Sequence, residues 1–307
     1  MTILFNNNNH DGSEWLSYFA KLLPNLPVYQ YPDIPDPKNI KYAIVWNHPV
    51  GDLQNYPNLK AILNLGAGSD WLDHDNDLPK VPVVRLVDPA VGVDMANFVL
   101  YWVMHFHRGF ARYQQQQAKC HWQRFQVKPA NQYRVTVLGL GMIGRYIAEQ
   151  VSSNGYCSQA WNRSLKSVDG VETFYAQDGL ECVLAKTDVL VNCLPHTDQT
   201  ENLLNRDTLS RMPEGACFIN VSRGGVVDHN ALMQLLDDGH LANATLDTFV
   251  TEPLSENSSI WRHNKINVTP HMSGATYANT AAKVIANNIM RMERGERPSP
   301  IYPHYDV

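Results

Sequence analysis

The chain has 307 residues, of which 44% are hydrophobic and 18% charged, and its formal net charge is −5. This composition is typical of a folded globular protein, and the length suggests two domains of roughly 150 residues each. The acidic balance disfavours a nucleic-acid partner, because proteins that bind a phosphate backbone usually carry a basic face. No stretch reaches the roughly 18 apolar residues of a membrane span. We therefore expect neither a nucleic-acid nor a membrane partner.

The cysteines give an indication of the cellular compartment. Their number is odd and none forms a C-x-x-C pair, which disfavours a disulfide framework and a zinc site. The first residues lack the basic start and long apolar run of a signal peptide. We expect a cytoplasmic protein without a bound metal, with reduced thiols at Cys120, Cys157, Cys182, Cys193 and Cys217.

Short apolar runs alternate with a helical pattern over residues 1–90. A helix is predicted at residues 14–23, with Ser13 as a candidate N-cap. Compact apolar runs next to turn residues are typical of buried strands, and strands that alternate with helices favour a parallel sheet. The predicted strands are residues 2–5, 42–46, 61–65 and 81–87.

Residues 94–108 differ from the rest of the first half. The run D-M-A-N-F-V-L-Y-W-V-M-H-F-H-R is long enough for a helix and apolar almost all round. Such a helix needs burial on more than one face. We interpret it as the link into a second domain and as the surface of a homodimer; an ordinary core helix within one subunit is the alternative.

The second half repeats the α/β alternation more clearly, and glycine or proline punctuates most junctions. Helices are predicted at residues 144–151, 230–239 and 276–294. Strands are predicted at residues 134–138, 189–194, 217–221, 244–246 and 266–269.

A glycine-rich turn follows the strand at residues 134–138. Gly139, Gly141 and Gly144 have the G-x-G-x-x-G spacing, after an apolar strand and at the start of a helical pattern. The first glycine permits a tight turn, the second a close approach of the backbone to a diphosphate, and the third close packing of helix and strand. The N-terminus of the predicted helix offers unpaired N–H groups to the phosphates, and Met142 and Ile143 just before it are further expected cofactor contacts. The turn predicts dinucleotide binding; a ligand-free glycine turn is the alternative.

The residue that usually binds the adenine ribose is acidic and lies about 20 residues further on. Asn162 stands at that position, followed by Arg163 and Ser164, with Lys166 close by. A carboxylate would repel a 2′-phosphate, whereas a guanidinium can bind one bidentately. The segment therefore favours NADP as the cofactor, with NAD as the second candidate; a surface arginine without a selective role is the alternative.

Reactive side chains follow three later strands. The segment I-N-V-S-R-G-G carries Arg223, L-D-T-F-V-T-E-P carries Asp247 and Glu252, and V-T-P-H carries His271. Open α/β sheets bind ligands at the carboxyl ends of their strands, so these side chains can converge. Each alone has an ordinary structural interpretation: a buried histidine, a surface ion pair or a turn.

Together the blocks G-L-G-M-I-G, N-V-S-R-G-G, L-D-T-F-x-x-E-P and T-P-H resemble, in order and spacing, those of the D-isomer-specific 2-hydroxyacid dehydrogenase family. The resemblance covers nearly the whole chain, including the L-G-A-G-S-D loop at residues 65–70 and G-E-R-P at residues 295–298. The Arg163-Ser164 pair and the Trp46 segment most resemble the glyoxylate/hydroxypyruvate reductases of that family.

This resemblance implies two α/β domains. One is a doubly wound, Rossmann-type parallel sheet over residues 97–274, which would bind the dinucleotide. The other is a smaller, discontinuous, flavodoxin-like α/β domain from residues 1–96 and 275–307, which would bind the substrate.

The resemblance also implies roles for the reactive residues. Reduction of a 2-oxo acid needs a proton donor that works near neutral pH, and histidine suits that range. His271 would be the acid, Glu252 would hold its imidazole, and Arg223 would pair with the substrate carboxylate and polarise the carbonyl. Asp247 would orient the nicotinamide carboxamide or tune the histidine pair.

Further binding residues follow from the same resemblance. The backbone N–H groups of Ala67 and Gly68 would anchor the substrate carboxylate, and Trp46 would form an apolar wall or be a core residue. His196, in the L-P-x-T-x-x-T loop, is not assigned a proton-transfer role. The remaining cofactor contacts are expected at Leu194, Pro195, Thr200, Val221 and Ser222.

The predicted activity is the reduction of glyoxylate or hydroxypyruvate to the D-2-hydroxy acid with NADPH. A cofactor-sensing regulatory protein, comparable to the transcriptional corepressors of the family, is the alternative from another class. A methyltransferase on a Rossmann fold would not explain the Arg163-Ser164 pair or the late histidine block.

Overall fold

The computed structural model describes residues 2–8, 10–68, 75 and 77–302. The chain forms two compact units, Met1–Val91 with Thr276–Val307, and Gly92–Ala275. The sequence placed these boundaries at residues 96/97 and 274/275. The boundaries of the two units are 91/92 and 275/276, and the helix predicted to begin at Asp94 begins at Pro89.

The first unit is built on a five-stranded parallel sheet in the order β2-β1-β3-β4-β5. This 2-1-3-4-5 order is that of flavodoxin-like folds. The central strands are buried on both faces, as parallel sheets require, and therefore have continuous apolar sequences. The strands are β1 (Thr2–Asn6), β2 (Val28–Gln30), β3 (Ile40–Val45), β4 (Ala61–Asn64) and β5 (Val83–Val84).

Two helices from opposite ends of the chain pack together in this unit, α1 (Ser13–Leu22) and α8 (Ala278–Glu293). Ile285 of α8 is buried in the same cluster as Phe5 and Phe19. The Tyr42 hydroxyl donates a 2.7 Å hydrogen bond to Glu293 Oε1. The unit is therefore discontinuous in sequence, because α8 supplies part of its core.

The second unit is built on a seven-stranded parallel sheet in the order β12-β11-β10-β9-β6-β7-β8. The strand order reverses at β6, which pairs with both β7 and β9, as in doubly wound dinucleotide-binding folds. The prediction of two parallel α/β units, one Rossmann-type, is confirmed. The strands are β6 (Arg134–Leu138), β7 (Cys157–Asn162), β8 (Glu172–Tyr175), β9 (Val189–Asn192), β10 (Ala216–Asn220), β11 (Leu241–Leu246) and β12 (Ile266–Val268).

Helices connect these strands on both sides of the strand-order reversal. They are α4 (Met142–Ser153), α5 (Ala176–Leu184), the single-turn α6 (Arg206–Leu209) and α7 (His229–Asp237). Across the described residues, no helix has both the length and the apolar character needed to cross a membrane.

Two further helices precede this sheet, α2 (Pro89–Arg108) and α3 (Phe110–Ala118). Val99 and Val103 of α2 are buried, whereas Tyr101 is 55% and Met104 43% exposed. The helix therefore has an apolar face that one copy of the chain does not fully cover.

Some elements differ from the predictions. Ser13 is not the N-cap of α1 but its first residue, and its N–H donates to Asp11 Oδ1 at 2.9 Å. The sequence did not predict β2, β8 or α5. Both strands lie at sheet edges and are only partly buried, so their apolar patterns are weaker than those of the central strands.

Candidate functional site

The candidate site in the second unit lies where the carboxyl ends of its parallel strands come together. The strand registers pair Leu138 with Asn192 and Asn220 with both Asn192 and Leu246. Because all these strands are parallel, their carboxyl ends lie level with one another, and the segments that follow them emerge at one edge. These segments contain the glycine turn, the Leu194-Pro195 loop, Arg223, Asp247 and His271.

The three glycines of the turn meet different surroundings. Gly139 has a φ of +93°, which glycine adopts without penalty. A Cβ at Gly144 would lie 1.8 Å from the carbonyl oxygen of Gly139, whereas a Cβ at Gly141 would meet no atom within 4 Å. Gly139 and Gly144 are thus needed by the fold itself, while Gly141 leaves room for a ligand to approach the backbone.

The helix that follows is suited to an anion. Helix α4 begins at Met142, and its N-cap, Gly141, provides no side-chain hydrogen bond. The N–H groups of Met142, Ile143 and Gly144 have no acceptor within their own helix, since the first four donors of any helix lack one. Together with the helix dipole they fit a diphosphate. The turn and helix thus fit the dinucleotide that the sequence predicts.

Cationic and polar groups lie beside the turn at the end of β7. Asn162 Oδ1 accepts a hydrogen bond from Leu140 N at 3.2 Å, and Asn162 Nδ2 donates to the Ser164 carbonyl oxygen at 2.9 Å. Lys166 Nζ donates to the Leu140 carbonyl oxygen at 2.6 Å, and Arg163 donates to Gln199 Oε1 at 2.7 Å. Two positive charges and a serine thus lie at the position where other proteins have a carboxylate. A carboxylate would repel the 2′-phosphate of NADP, whereas these groups can bind it.

Hydroxyl groups fix the loop after β9. Thr200 Oγ1 donates to the Pro195 carbonyl oxygen at 2.6 Å, and Ser222 Oγ donates to the Leu194 carbonyl oxygen. Val221 N donates to the Asn192 carbonyl oxygen at 3.4 Å. The five residues predicted to contact the cofactor from this side therefore belong to one hydrogen-bonded pair of loops.

Burial keeps a nearby thiol uncharged. Cys193 lies next to the glycine turn, since its carbonyl oxygen is 2.9 Å from the point where a Cβ added to Gly139 would stand. Burial raises the pKa of the Cys193 thiol to about 12. This thiol therefore stays neutral beside the phosphate-binding turn and does not repel an anion.

His271 and Glu252 form a direct pair. His271 Nδ1 lies 2.7 Å from Glu252 Oε2, and the histidine side chain is 48% exposed. Glu252 Oε1 accepts a hydrogen bond from Phe249 N at 2.9 Å, which fixes the carboxylate. Because the carboxylate occupies Nδ1, Nε2 is the ring nitrogen available for proton exchange with a ligand.

Arg223 belongs to a loop that touches the loop of Glu252. A Cβ at Gly224 would lie 2.0 Å from the carbonyl carbon of Phe249 and 2.2 Å from Val250 N. Glycine therefore lets the two backbones come into contact. Arg223 itself donates to the Ser222 carbonyl oxygen at 2.8 Å, and its own carbonyl oxygen accepts from Asn220 Nδ2 at 3.2 Å.

Asp247 shapes the loop that carries His271. Its carboxylate is fully buried. Oδ1 accepts hydrogen bonds from Thr269 Oγ1 at 2.5 Å and Met272 N at 2.9 Å, and Oδ2 accepts one from Ser273 N at 2.9 Å. The sequence predicts that Asp247 orients the nicotinamide carboxamide or tunes the histidine pair; in the structure its side chain bonds the loop that carries His271.

The predicted substrate residues of the first unit lie around the loop after β4. The Trp46 ring lies against Gly66, where a Cβ would be 2.2 Å from Trp46 Cζ3. Ala67 and Gly68 follow directly, whereas Ser69 and Asp70 lie outside the described residues. Tryptophan is thus an apolar support for the loop.

Comparison with known proteins identifies the class. The sequence model described as D-isomer specific 2-hydroxyacid dehydrogenase, NAD binding domain, matches residues 100–273. The chain belongs to the D-isomer specific 2-hydroxyacid dehydrogenase family, as the sequence motifs predicted. A curated relative, glyoxylate/hydroxypyruvate reductase A of Serratia proteamaculans, is 33% identical over 98% of this chain and 98% of its own.

Two solved structures have the same fold over nearly the full length. A D-isomer specific 2-hydroxyacid dehydrogenase from Xanthobacter autotrophicus Py2, in complex with NADPH and MES, has a TM-score of 0.93 and 38% identity, covering 98% of this chain and 97% of its own. An NADPH-dependent glyoxylate/hydroxypyruvate reductase from Sinorhizobium meliloti, in complex with NADP and sulfate, has a TM-score of 0.92 and 28% identity, covering 98% of each chain.

The sequence did not single out several polar residues that hydrogen-bond to the predicted site residues or to the strand ends beside them. Gln199, bonded to Arg163, stands at an unspecified position of the L-P-x-T-x-x-T loop, so the pattern did not mark it. Asn192 and Asn220 are fully buried, and Asn192 Nδ2 donates to Asn220 Oδ1 at 3.0 Å. A polar residue at the end of an apolar strand was the available signal for both. Among the described residues, no three side chains of His, Cys, Asp or Glu cluster in a way that could hold a metal ion.

Substitutions of single glycines distinguish the residues required for stability from those required for NADPH binding. Gly141→Ala should leave the free energy of unfolding within about 0.5 kcal/mol of wild type but weaken NADPH binding at least about tenfold, since a methyl group would occupy the approach to the backbone. Gly144→Ala should lower stability as well, because its Cβ meets a backbone oxygen. Thermal unfolding and NADPH fluorescence titration measure both; tight NADPH binding by Gly141→Ala would contradict this assignment.

Glu252→Gln tests the histidine pair. The amide can still accept from Phe249 N, but it lacks the charge that stabilises an imidazolium. We expect kcat for the reduction to fall by about 10- to 100-fold, while the Kd for NADPH stays unchanged. The matched control is Glu201→Gln, which alters a second described histidine–glutamate pair, His196–Glu201, and should leave kcat near the wild-type value. A wild-type kcat in Glu252→Gln would remove Glu252 from this role.

Proposed function

We propose that this protein reduces a small 2-oxo acid of the glyoxylate/hydroxypyruvate class to the D-2-hydroxy acid, with NADPH as the reductant. The observation that carries the proposal is the His271–Glu252 pair at 2.7 Å, on a loop that touches the Arg223 loop in a chain of the 2-hydroxyacid dehydrogenase family. The relatives named glyoxylate/hydroxypyruvate reductase A support the substrate class.

The side chains divide the chemistry between them. NADPH, when bound, supplies the hydride. His271 donates the proton from Nε2 to the oxygen of the substrate carbonyl and takes it back in the reverse direction. Glu252 stabilises the imidazolium through its negative charge. Arg223 pairs with the substrate carboxylate and stabilises negative charge on the carbonyl oxygen.

We assign cofactor binding to the second unit, supported by the match of the NAD binding domain to residues 100–273. The glycine turn and α4 would hold the diphosphate, and Arg163, Ser164 and Lys166 the 2′-phosphate. Solved relatives in complex with NADPH or NADP support this preference. Substrate binding is assigned in part to the first unit, through Trp46, Ala67 and Gly68. Five free thiols support a reducing, cytoplasmic location.

An assay of 2-oxo acids with NADPH, followed at 340 nm in the nicotinamide absorbance band, tests the activity. Wild-type protein should reduce glyoxylate and hydroxypyruvate. His271→Ala should lower kcat by about 10²- to 10⁴-fold and leave the Kd for NADPH unchanged. Arg223→Ala should raise KM and lower kcat together. If wild-type protein reduces no 2-oxo acid, the proposal fails; near-normal turnover in His271→Ala would exclude His271 as the acid.

Arg163→Ala tests the cofactor preference. Charge-assisted hydrogen bonds contribute about 1.5–3 kcal/mol, so kcat/KM with NADPH should fall by about 10- to 100-fold, while kcat/KM with NADH changes less than about twofold. Arg206→Ala is the matched control, because Arg206 is also exposed and bonds Asp238 on another surface of the same unit. An equal loss with both cofactors would contradict the role of Arg163.

We further propose that the chain forms a homodimer through α2. Its exposed apolar face includes Tyr101 and Met104, and Phe110 at the start of α3 is 46% exposed. Such a face favours burial against a second copy. Light scattering at micromolar concentration should show a dimer, and the double substitution Tyr101→Glu/Met104→Glu should give a monomer. Trp261→Glu, on an exposed apolar residue elsewhere, should remain dimeric. A monomeric wild type would contradict the proposal.

A further inference from the structure

A buried amide lies beneath the loop after β4. Asn64 is the last residue of that strand and is 1% exposed. Its Nδ2 lies 2.9 Å from the Gly66 carbonyl oxygen and 2.5 Å from that of Gly68. Burial of an amide costs free energy unless it is hydrogen-bonded. Because the rest of β4 is apolar, the buried asparagine is explained by its hydrogen-bond partners, and these two carbonyl groups are among them.

These hydrogen bonds determine where the loop's own donors point. In a trans peptide unit the C=O and the following N–H point in opposite directions. The Gly66 carbonyl points toward Asn64, so the N–H of Ala67, in the same peptide unit, points away from it. Asn64 therefore presents that N–H as a donor on the opposite side of the loop.

Two other contacts restrict the loop and the amide beneath it. The Trp46 ring lies so close to Gly66 that no larger residue fits there, because an added Cβ would lie 2.2 Å from the ring atom Cζ3. The Tyr302 hydroxyl lies 3.1 Å from Asn64 Nδ2. Tyr302 is itself fixed, since its N–H donates to the Val83 carbonyl oxygen at 2.9 Å and the Arg85 guanidinium lies 5.3 Å from its ring centre.

We propose that Asn64, supported by Tyr302, is a positioning residue that aims the Ala67 N–H at the carboxylate of the 2-oxo acid. This inference rests on the proposed function and deepens it, because it assigns substrate affinity to a side chain that does not itself touch the substrate. Backbone N–H groups bind carboxylates well only when they are held in place before the ligand arrives. A loop with free carbonyl groups would rotate its peptide units and lose that orientation.

The test compares Asn64→Ala and Tyr302→Phe with wild type. Without the amide, KM for glyoxylate and the Kd for oxamate, a carboxylate that cannot be reduced, should each rise about tenfold, the equivalent of roughly one charge-assisted hydrogen bond. Oxamate binding is measured by calorimetry on the enzyme–NADPH complex. The kcat should change less than about threefold and the Kd for NADPH should not change. Tyr302→Phe should shift KM and the oxamate Kd in the same direction by about two- to fivefold.

Asn58→Ala is the matched control, because Asn58 Nδ2 also donates to a backbone carbonyl, that of Lys38 at 2.8 Å, in the same unit. It should leave KM and the oxamate Kd within twofold of wild type. The inference is overturned if Asn64→Ala lowers the melting temperature but keeps wild-type KM and oxamate affinity. If Asn64→Ala does not fold, Tyr302→Phe decides, and unchanged oxamate affinity there also overturns it. A wild type that reduces no 2-oxo acid would instead overturn the proposed function.

Discussion

The arrangement of the second unit depends on one buried carboxylate. Asp247 follows the end of β11 and accepts three hydrogen bonds from the residues on either side of His271. His271 has a φ of +52°, a left-handed conformation that L-residues other than glycine seldom adopt. The His271 N–H also donates to the Asp247 carbonyl oxygen at 2.8 Å. Asp247 thus holds the loop in the conformation that places His271 beside Glu252, and hydrogen bonds satisfy both of its buried side-chain oxygens.

Buried asparagines likewise hold the loops at the carboxyl ends of neighbouring strands. Asn192 and Asn220 end neighbouring strands and bond each other. Asn192 Oδ1 accepts from Leu194 N, and Asn220 Nδ2 donates to the Arg223 carbonyl oxygen. Each amide therefore links a strand end to the loop that follows it. Hydrogen bonds in a low-dielectric interior are strong and directional, so the loops keep one conformation. Asn64 has the equivalent position in the first unit.

The electrostatics of the second unit suit anionic ligands despite the net charge of −5. Arg163 and Lys166 lie beside the glycine turn, and the N-terminus of α4 adds its dipole. Burial raises the pKa of Cys193 and lowers that of His229, whose ring lies 6.0 Å from that of Phe249. Both buried groups are therefore neutral at pH 7. The cations of the second unit that the candidate site uses are the exposed Arg163 and Lys166 and the half-buried Arg223.

The sequence by itself determined the fold class and the family, and it predicted the reactive residues of the candidate site. The glycine spacing after an apolar strand and the four ordered blocks are local patterns, and local patterns report directly on backbone conformation and burial. The weakly buried edge strands β2 and β8 were missed, because a strand that buries little has little apolar periodicity.

Only the tertiary structure decided which groups meet. Four contacts illustrate this. His271 lies 2.7 Å from Glu252, and Asp247 bonds the loop that carries His271. Arg163 bonds Gln199, and the Asn64 amide bonds the loop of residues 66–68. Such contacts depend on strand order and loop packing, which the spacing of residues along the chain does not specify.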